Sequence, residues 1–316
     1  MKTVILDTCT VTKGDIDMTA LEQFGEIEYF DILSKDQIIK VLQGADAVVC
    51  NKAVIDKDII DATSLKFIGL FATGYNNIDI EYARKKGVTV CNVPGYSTDS
   101  VTLYTISTAL ALYSKLWEYN NFARSGEYTA SGCANKLTPV FHELKGKTWG
   151  IIGLGNIGKA VAKVAEAFGA RVIANKRTPD VNYNCVDIDT LCKESDIISV
   201  HCPLNEETKF IINKDRIELM KPSVIIVNEA RGAVLNESDI AEAIKSDRIG
   251  GFGCDVYSHE PFTHNHPYDE IKNYSNVILT PHCAWGAYEA RERCQKTIAK
   301  NIESFYSGRF ENRVDL

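Results

Sequence analysis

Three side chains of different chemistry fall at or just after the ends of predicted strands in the second half of the chain. These are Arg231 after residues 225–230, Glu260 after residues 253–258, and His282 after residues 278–281. An imidazole exchanges a proton near neutral pH, a carboxylate beside it favours the imidazolium, and a guanidinium grips a carboxylate through paired hydrogen bonds. Together the three suit the movement of a hydride and a proton at a carbon next to a carboxylate. Taken singly they read as a surface cation, a loop carboxylate and a capped or core histidine. A parallel sheet gathers strand ends that are distant in sequence onto one edge, so their joint placement is the signal.

A hydride needs a carrier, and the segment from Thr148 to Ala160 offers a place for one. An apolar run ends in Gly153, Gly155 and Gly158, spaced G-x-G-x-x-G, and an amphipathic stretch with Val161, Val164, Ala165 and Phe168 follows. The first glycine permits a tight turn, the second lets a pyrophosphate approach the backbone, and the third lets the helix pack on its strand. The helix start then presents N–H groups to the phosphates. A second strand over residues 171–174 completes the dinucleotide-binding pattern.

The elements that must position these groups alternate along the whole chain. Strands are predicted at residues 4–6, 26–30, 47–50, 67–70 and 89–91, with helices at 35–42, 57–62 and 78–86 between them. Residues 92–96 connect to one long helix from about 98 to 125, whose apolar set is too broad for a single stripe and suggests burial against both domains or a partner. Residues 126–141 read as a loop. The alternation resumes with strands at 171–174, 197–200, 224–228, 249–255 and 277–280, and helices at 188–193, 214–220, 237–246 and 288–307. The fold expected is α/β, two doubly wound domains with the nucleotide domain (99–285) inserted into a substrate-binding domain (1–98 and 286–316). A cleft between such domains is the usual place for a substrate.

The 316 residues are 45% apolar and 24% charged, and 35 basic against 42 acidic side chains leave a net charge of −7. That balance argues against nucleic acid or an anionic membrane as partner. No export signal or membrane-length apolar window is evident, so a cytoplasmic protein is expected. The ten cysteines, scattered without a Cys-x-x-Cys pair, read as reduced thiols. No metal is expected: His264–Asn265–His266 sits among Pro261, Pro267 and Tyr268 and reads as a loop.

Over nearly its full length the chain resembles the D-isomer-specific 2-hydroxyacid dehydrogenase family. The matching motifs are the glycine turn, His201–Cys202–Pro203–Leu204, Met220–Lys221–Pro222, Asn228–Glu229–Ala230–Arg231–Gly232, Gly253–Cys254–Asp255–Val256 with Glu260–Pro261, and Pro281–His282–Cys283–Ala284–Trp285. The resemblance implies a Rossmann domain inserted in a flavodoxin-like domain, and it gives roles to the three side chains. Arg231 binds the substrate carboxylate and polarises the carbonyl, His282 is the acid/base, and Glu260 supports its protonated form. It also implies that Ala72, Thr73 and Gly74 meet the substrate carboxylate; Trp285 either walls the pocket or packs at the start of a helix. The cofactor set becomes Gly153, Gly155, Asn156, Ile157, Gly158, Asn175, Lys176, Arg177, His201, Cys202, Pro203, Glu229, Ala230, Arg231, Asp255 and His282. A homodimer through residues 99–125 is a further implication. Within the family, the endings at 72–76 and 282–285 look most like the glycerate dehydrogenase and hydroxypyruvate or glyoxylate reductase branch.

Two positions depart from the family pattern. Where an acidic residue would bind the ribose 2′-hydroxyl of NAD, this chain has Asn175–Lys176–Arg177, which attracts a 2′-phosphate. NADP(H) is therefore the expected cofactor, with NAD(H) possible if Asp180 reaches the ribose. At Leu235–Asn236–Glu237 the family often has Val-Asp-Glu, a change that alters only a helix cap. The rival reading from another class is a nucleotide-sensing corepressor or scaffold, against which the retention of Arg231, Glu260 and His282 argues.

Overall fold

The computed structural model describes residues 2–309 and 311–316. The chain divides into two compact units, Met1–Ser97 with Trp285–Leu316, and Thr98–Ala284. Each junction falls one residue before the boundary read from the sequence.

In the first unit five short strands, β1 (Lys2–Ile5), β2 (Glu26–Tyr29), β3 (Ala47–Cys50), β4 (Phe67–Leu70) and β5 (Thr89–Cys91), pair in parallel in the order β2-β1-β3-β4-β5. This is the flavodoxin-like order. The central strands are buried on both sides, which is why their sequences are unbroken apolar runs such as Ala47–Cys50. One face is covered by Ile38, Ile59, Ile60 and Ala83. The helix Tyr288–Tyr306 covers the other, packing Ala290, Cys294, Ile298 and Ile302 against Ile5, Val49 and Phe67.

The second unit holds β6 (Thr148–Ile152), β7 (Arg171–Asn175), β8 (Ile197–Val200), β9 (Ile225–Asn228), β10 (Gly251–Cys254) and β11 (Val277–Leu279), ordered β11-β10-β9-β8-β6-β7 and parallel throughout. A lone parallel bridge from Ala174 to Cys185 extends the sheet beyond β7. With that remnant counted as the third strand, the order is that of the Rossmann fold plus one edge strand.

The single helix expected from about 98 to 125 is two helices, Thr98–Tyr113 and Leu116–Arg124, broken where Lys115 takes a left-handed φ of 56°. Val101, Ile106, Ala109 and Leu112 of the first are buried, whereas Leu116 and Trp117 of the second are 59% and 56% exposed. The expected loop at 126–141 begins with a short helix, Glu127–Ser131, introduced by Gly126 at φ 86°. Among the described residues no helix is long and apolar enough to cross a membrane.

Candidate active site

The register of the six-stranded sheet builds one continuous edge. Ile152 pairs with Val200, Val200 with Asn228, Asn228 with Cys254, and Cys254 with Leu279. The next residue on each strand is therefore Gly153, His201, Glu229, Asp255 or Thr280, a row across the carboxyl ends where α/β sheets bind ligands.

At the glycine turn, a Cβ on Gly153 (φ +95°) would lie 2.5 Å from the Cys202 nitrogen, and one on Gly158 would lie 2.3 Å from the Gly153 carbonyl oxygen. These two glycines are demanded by close approach of backbone. A Cβ on Gly155 would meet no atom within 4 Å, and Gly155 caps the helix Asn156–Ala167 with no side-chain hydrogen bond. Space and open N–H groups thus coincide at the helix start, which fits a pyrophosphate. Asn156 is exposed there and Ile157 half-buried.

At the end of β7 the Asn175 carbonyl accepts from Gly153 N at 2.9 Å and its side chain donates to the Val186 carbonyl at 3.1 Å. Lys176 and Arg177 are exposed. Asp180, the residue that could substitute as a ribose acceptor, is ion-paired with Lys159 at 2.6 Å.

His201 and Glu229 share an unusual state. Neither ring nitrogen of His201 and neither carboxyl oxygen of Glu229 has a hydrogen-bond partner among the described residues. Burial pushes the His201 imidazole down to about 3, and burial, with the nearby Asp255 charge, pushes the Glu229 carboxyl up to about 9. Both are neutral at pH 7. Cys202 and Ala230 beside them are buried and Pro203 is exposed.

His282 and Glu260 are, by contrast, engaged with each other. His282 Nδ1 lies 2.6 Å from Glu260 Oε2, and Glu260 Oε1 accepts from Tyr257 N at 3.1 Å. The two side chains are about one-quarter exposed, at 25% and 24%. His282 has a φ of 53°, uncommon for a residue with a Cβ. Asp255 holds that turn: Oδ1 accepts from Thr280 Oγ1 at 2.6 Å and Cys283 N at 2.8 Å, and Oδ2 from Ala284 N at 2.8 Å. This anchoring role of Asp255 was not legible in the sequence, where its motif suggested a cofactor contact alone.

Arg231 follows β9 on a turn pinned by Asn228, whose side chain donates to the Arg231 carbonyl at 3.0 Å and accepts from Ala230 N at 3.1 Å. Gly232 next to it packs so tightly that a Cβ would lie 2.0 Å from the Tyr257 carbonyl carbon. The Arg231 turn is thereby pressed on the 257–260 turn that carries Glu260. A further support appears at Glu237, which accepts from Ser258 N at 2.8 Å, is bonded by the Ser258 hydroxyl, and lies 3.0 Å from His266 Nε2. The His264–Asn265–His266 stretch thus contributes a buried histidine to packing. Asn236 caps the Glu237–Lys245 helix by accepting from Asp239 N at 3.3 Å.

In the first unit the 72–74 loop follows β4 at the carboxyl edge of its own sheet. Thr73 donates to the Val93 carbonyl, and Asn92 donates to the Thr73 carbonyl, both at 2.8 Å. Trp285 packs edge-on against Tyr96, with ring centroids 6.2 Å apart.

Comparison with known proteins agrees with this arrangement. A family model described as D-isomer specific 2-hydroxyacid dehydrogenase, NAD binding domain, matches residues 106–284. A hydroxypyruvate reductase of Blautia hydrogenotrophica is 35% identical, covering 100% of both chains. A glyoxylate reductase of Thermococcus litoralis is 36% identical over 98% of this chain and 95% of that one. The crystal structure of a D-lactate dehydrogenase from Aquifex aeolicus, complexed with NAD and lactic acid, superposes with a TM-score of 0.88 at 26% identity, covering 99% of each chain. With a sheet edge built for a dinucleotide, an engaged histidine–glutamate pair, and relatives aligned from end to end, the chain belongs to the D-isomer-specific 2-hydroxyacid dehydrogenase family.

Proposed function

We propose that this oxidoreductase reduces small 2-keto acids, hydroxypyruvate and glyoxylate foremost, to D-2-hydroxy acids, or runs the reverse. The observation that carries the reading is the 2.6 Å contact of His282 with Glu260, on the sheet edge that also bears Arg231 and the glycine turn. The nicotinamide cofactor, when bound, supplies or accepts the hydride. Arg231 holds the substrate carboxylate and stabilises negative charge as it grows on the carbonyl oxygen. With Nδ1 taken by Glu260, His282 delivers the proton on Nε2 to the developing alkoxide in reduction and recovers it in oxidation. Glu260 offsets the positive charge of the imidazolium.

Ala72, Thr73, Gly74 and Trp285 are the proposed substrate contacts outside the Thr98–Ala284 unit, which takes the dinucleotide. NADPH is the preferred carrier, supported by exposed Lys176 and Arg177 and by the engagement of Asp180 with Lys159. A homodimer is proposed through residues 99–125, where Leu103, Leu116 and Trp117 are exposed. The composition supports a cytoplasmic location.

The test is loss of reduced-nicotinamide absorbance with hydroxypyruvate, glyoxylate or pyruvate, run in parallel with NADPH and NADH. Faster turnover of the first two substrates with NADPH is expected. Replacing Lys176 and Arg177 by Ala should raise KM for NADPH about tenfold or more while leaving NADH nearly unchanged. Preference of the parent enzyme for NADH would refute the charge argument. No turnover of any 2-keto acid would favour a sensing or scaffold protein.

A further inference from the structure

The helix Thr98–Tyr113 lies outside the motifs that the reaction draws on, yet one of its faces reaches the turn that bears His282. Ser100, Tyr104 and Thr108 follow one another at intervals of four and so share that face. Thr108 sits against β10, where a Cβ on Gly253 would lie 2.3 Å from the Thr108 methyl carbon, so a side chain at 253 would push the helix away. One turn earlier, Tyr104 meets Cys283, whose thiol donates to the Tyr104 hydroxyl at 3.1 Å. One turn earlier again, Ser100 Oγ donates to the Ala284 carbonyl at 2.6 Å. Asp255 grips the backbone N–H groups of Cys283 and Ala284. Tyr104 grips the Cys283 side chain instead, from a different element.

We propose that Tyr104 is a positioning residue for His282 and acts through the side chain of Cys283. The inference rests on the reaction reading above, in which His282 moves the proton. His282 has a φ of 53°, a backbone state that persists where its surroundings over-determine it. Its Nδ1 is tied to Glu260 at 2.6 Å, so the direction of Nε2 follows from where the 280–284 turn places the ring. A shift of that turn either stretches the Glu260 contact or swings Nε2 out of hydrogen-bond reach of the alkoxide, and small misplacements of this kind slow proton transfer. Cys283 follows His282 directly, and its bond to Tyr104 fastens the turn to a helix that Gly253 lets sit close to the sheet. Burial, and then the Cys283 thiol, push the Tyr104 hydroxyl up to about 12, and burial raises Cys283 as well. The pair is therefore neutral at pH 7 and acts by hydrogen-bond geometry without adding charge beside His282. A phenyl ring would fill the same space, so the oxygen is the part of Tyr104 that this role requires.

The test is a double-mutant cycle on the full-length protein, with kcat and KM measured for hydroxypyruvate and the dissociation constant of NADH measured by fluorescence titration. Tyr104→Phe and Cys283→Ala should each lower kcat about five- to tenfold, with KM and NADH binding within about twofold of the parent. The double variant should be no slower than either single one, because both remove the same bond. Cys283→Ser, whose hydroxyl renews the bond to Tyr104, should keep most of the parent kcat. Tyr104→Phe loses one oxygen and keeps the ring, so its kcat alone decides the matter if Cys283→Ala does not fold. Parent-like kcat in Tyr104→Phe, multiplying losses in the double variant, or a loss of NADH binding equal to the loss of kcat would each overturn the positioning role while the parent still turns over its substrate. Absence of turnover in the parent would instead overturn the reaction reading, and the role of Tyr104 with it.

Discussion

Asp7, beyond β1 in the five-stranded sheet, and Glu229, beyond β9 in the six-stranded sheet, are both buried carboxyls near a carboxyl edge, yet only the first is met by the protein. Asp7 is 4% exposed, and its Oδ2 accepts from the backbone N–H groups of Asn51, Lys52 and Ala53 at 3.2, 2.9 and 2.7 Å. Those bonds stitch the loop after β3 to the end of β1. Asp255 does the same for the turn carrying His282. Glu229, also buried, does neither. The difference separates acids used as architecture from an acid whose hydrogen-bonding capacity is left for something else.

The largest effect that would sharpen this division concerns His282, whose Nδ1 is engaged and whose proposed role is proton transfer. His282→Ala should lower kcat by about 10²–10⁴-fold with the dissociation constant for NADH nearly unchanged. Equal loss of turnover and binding would sink its assignment as acid/base. A smaller effect distinguishes the two architectural acids. Asp7→Asn and Asp255→Asn each trade an acceptor oxygen for an N–H2 facing donors, and should each cost about 1–3 kcal/mol in urea unfolding. Only Asp255→Asn should also reduce kcat, by about tenfold, because the His282 turn shifts. Reduced turnover in Asp7→Asn would break the comparison.

The smallest effect is a pH dependence of stability in the free protein. Glu229, raised from 4.5 to about 9 by burial and by Asp255, binds its proton more tightly folded than unfolded. Its stabilisation is complete below the unfolded value and is lost as pH rises toward 9. His201, lowered from 6.5 to about 3 by burial, acts in the opposite sense, and its contribution is lost as pH falls from 6.5 toward 3. Glu229→Gln should therefore flatten the alkaline arm alone, raising the thermal midpoint at pH 9 relative to the parent by about 5 °C. An unchanged alkaline arm would show that Glu229 is ionised in the folded protein and would remove its contrast with Asp7.

Much of the framework was legible because its signals are local. Runs such as Ala47–Cys50, Phe67–Leu70 and Ile197–Val200 are strands with the bounds their apolar content suggests, and a Gly-x-Gly-x-x-Gly after such a run has few other uses. The break at Lys115 was not legible, since Ser114 and Lys115 carry no glycine or proline to announce it. The pressing of Gly232 onto Tyr257 was hidden for another reason: the two residues are brought together by separate strands. The Asn228–Glu229–Ala230–Arg231–Gly232 motif was the sequence cue to Glu229, and it did not reveal whether that side chain was satisfied.

The order of residue types along the chain determined where strands, turns and reactive groups lie, because hydrophobic period and glycine spacing act over a few residues. Tertiary structure alone decided which polar groups are paired. The register Val200–Asn228–Cys254 places His201, Glu229 and Asp255 side by side, and the 280–284 turn supplies donors to one of them and none to the others. Hydrogen bonding and burial depend on what other strands bring near, so two acids alike in sequence became an anchor and an unpaired carboxyl.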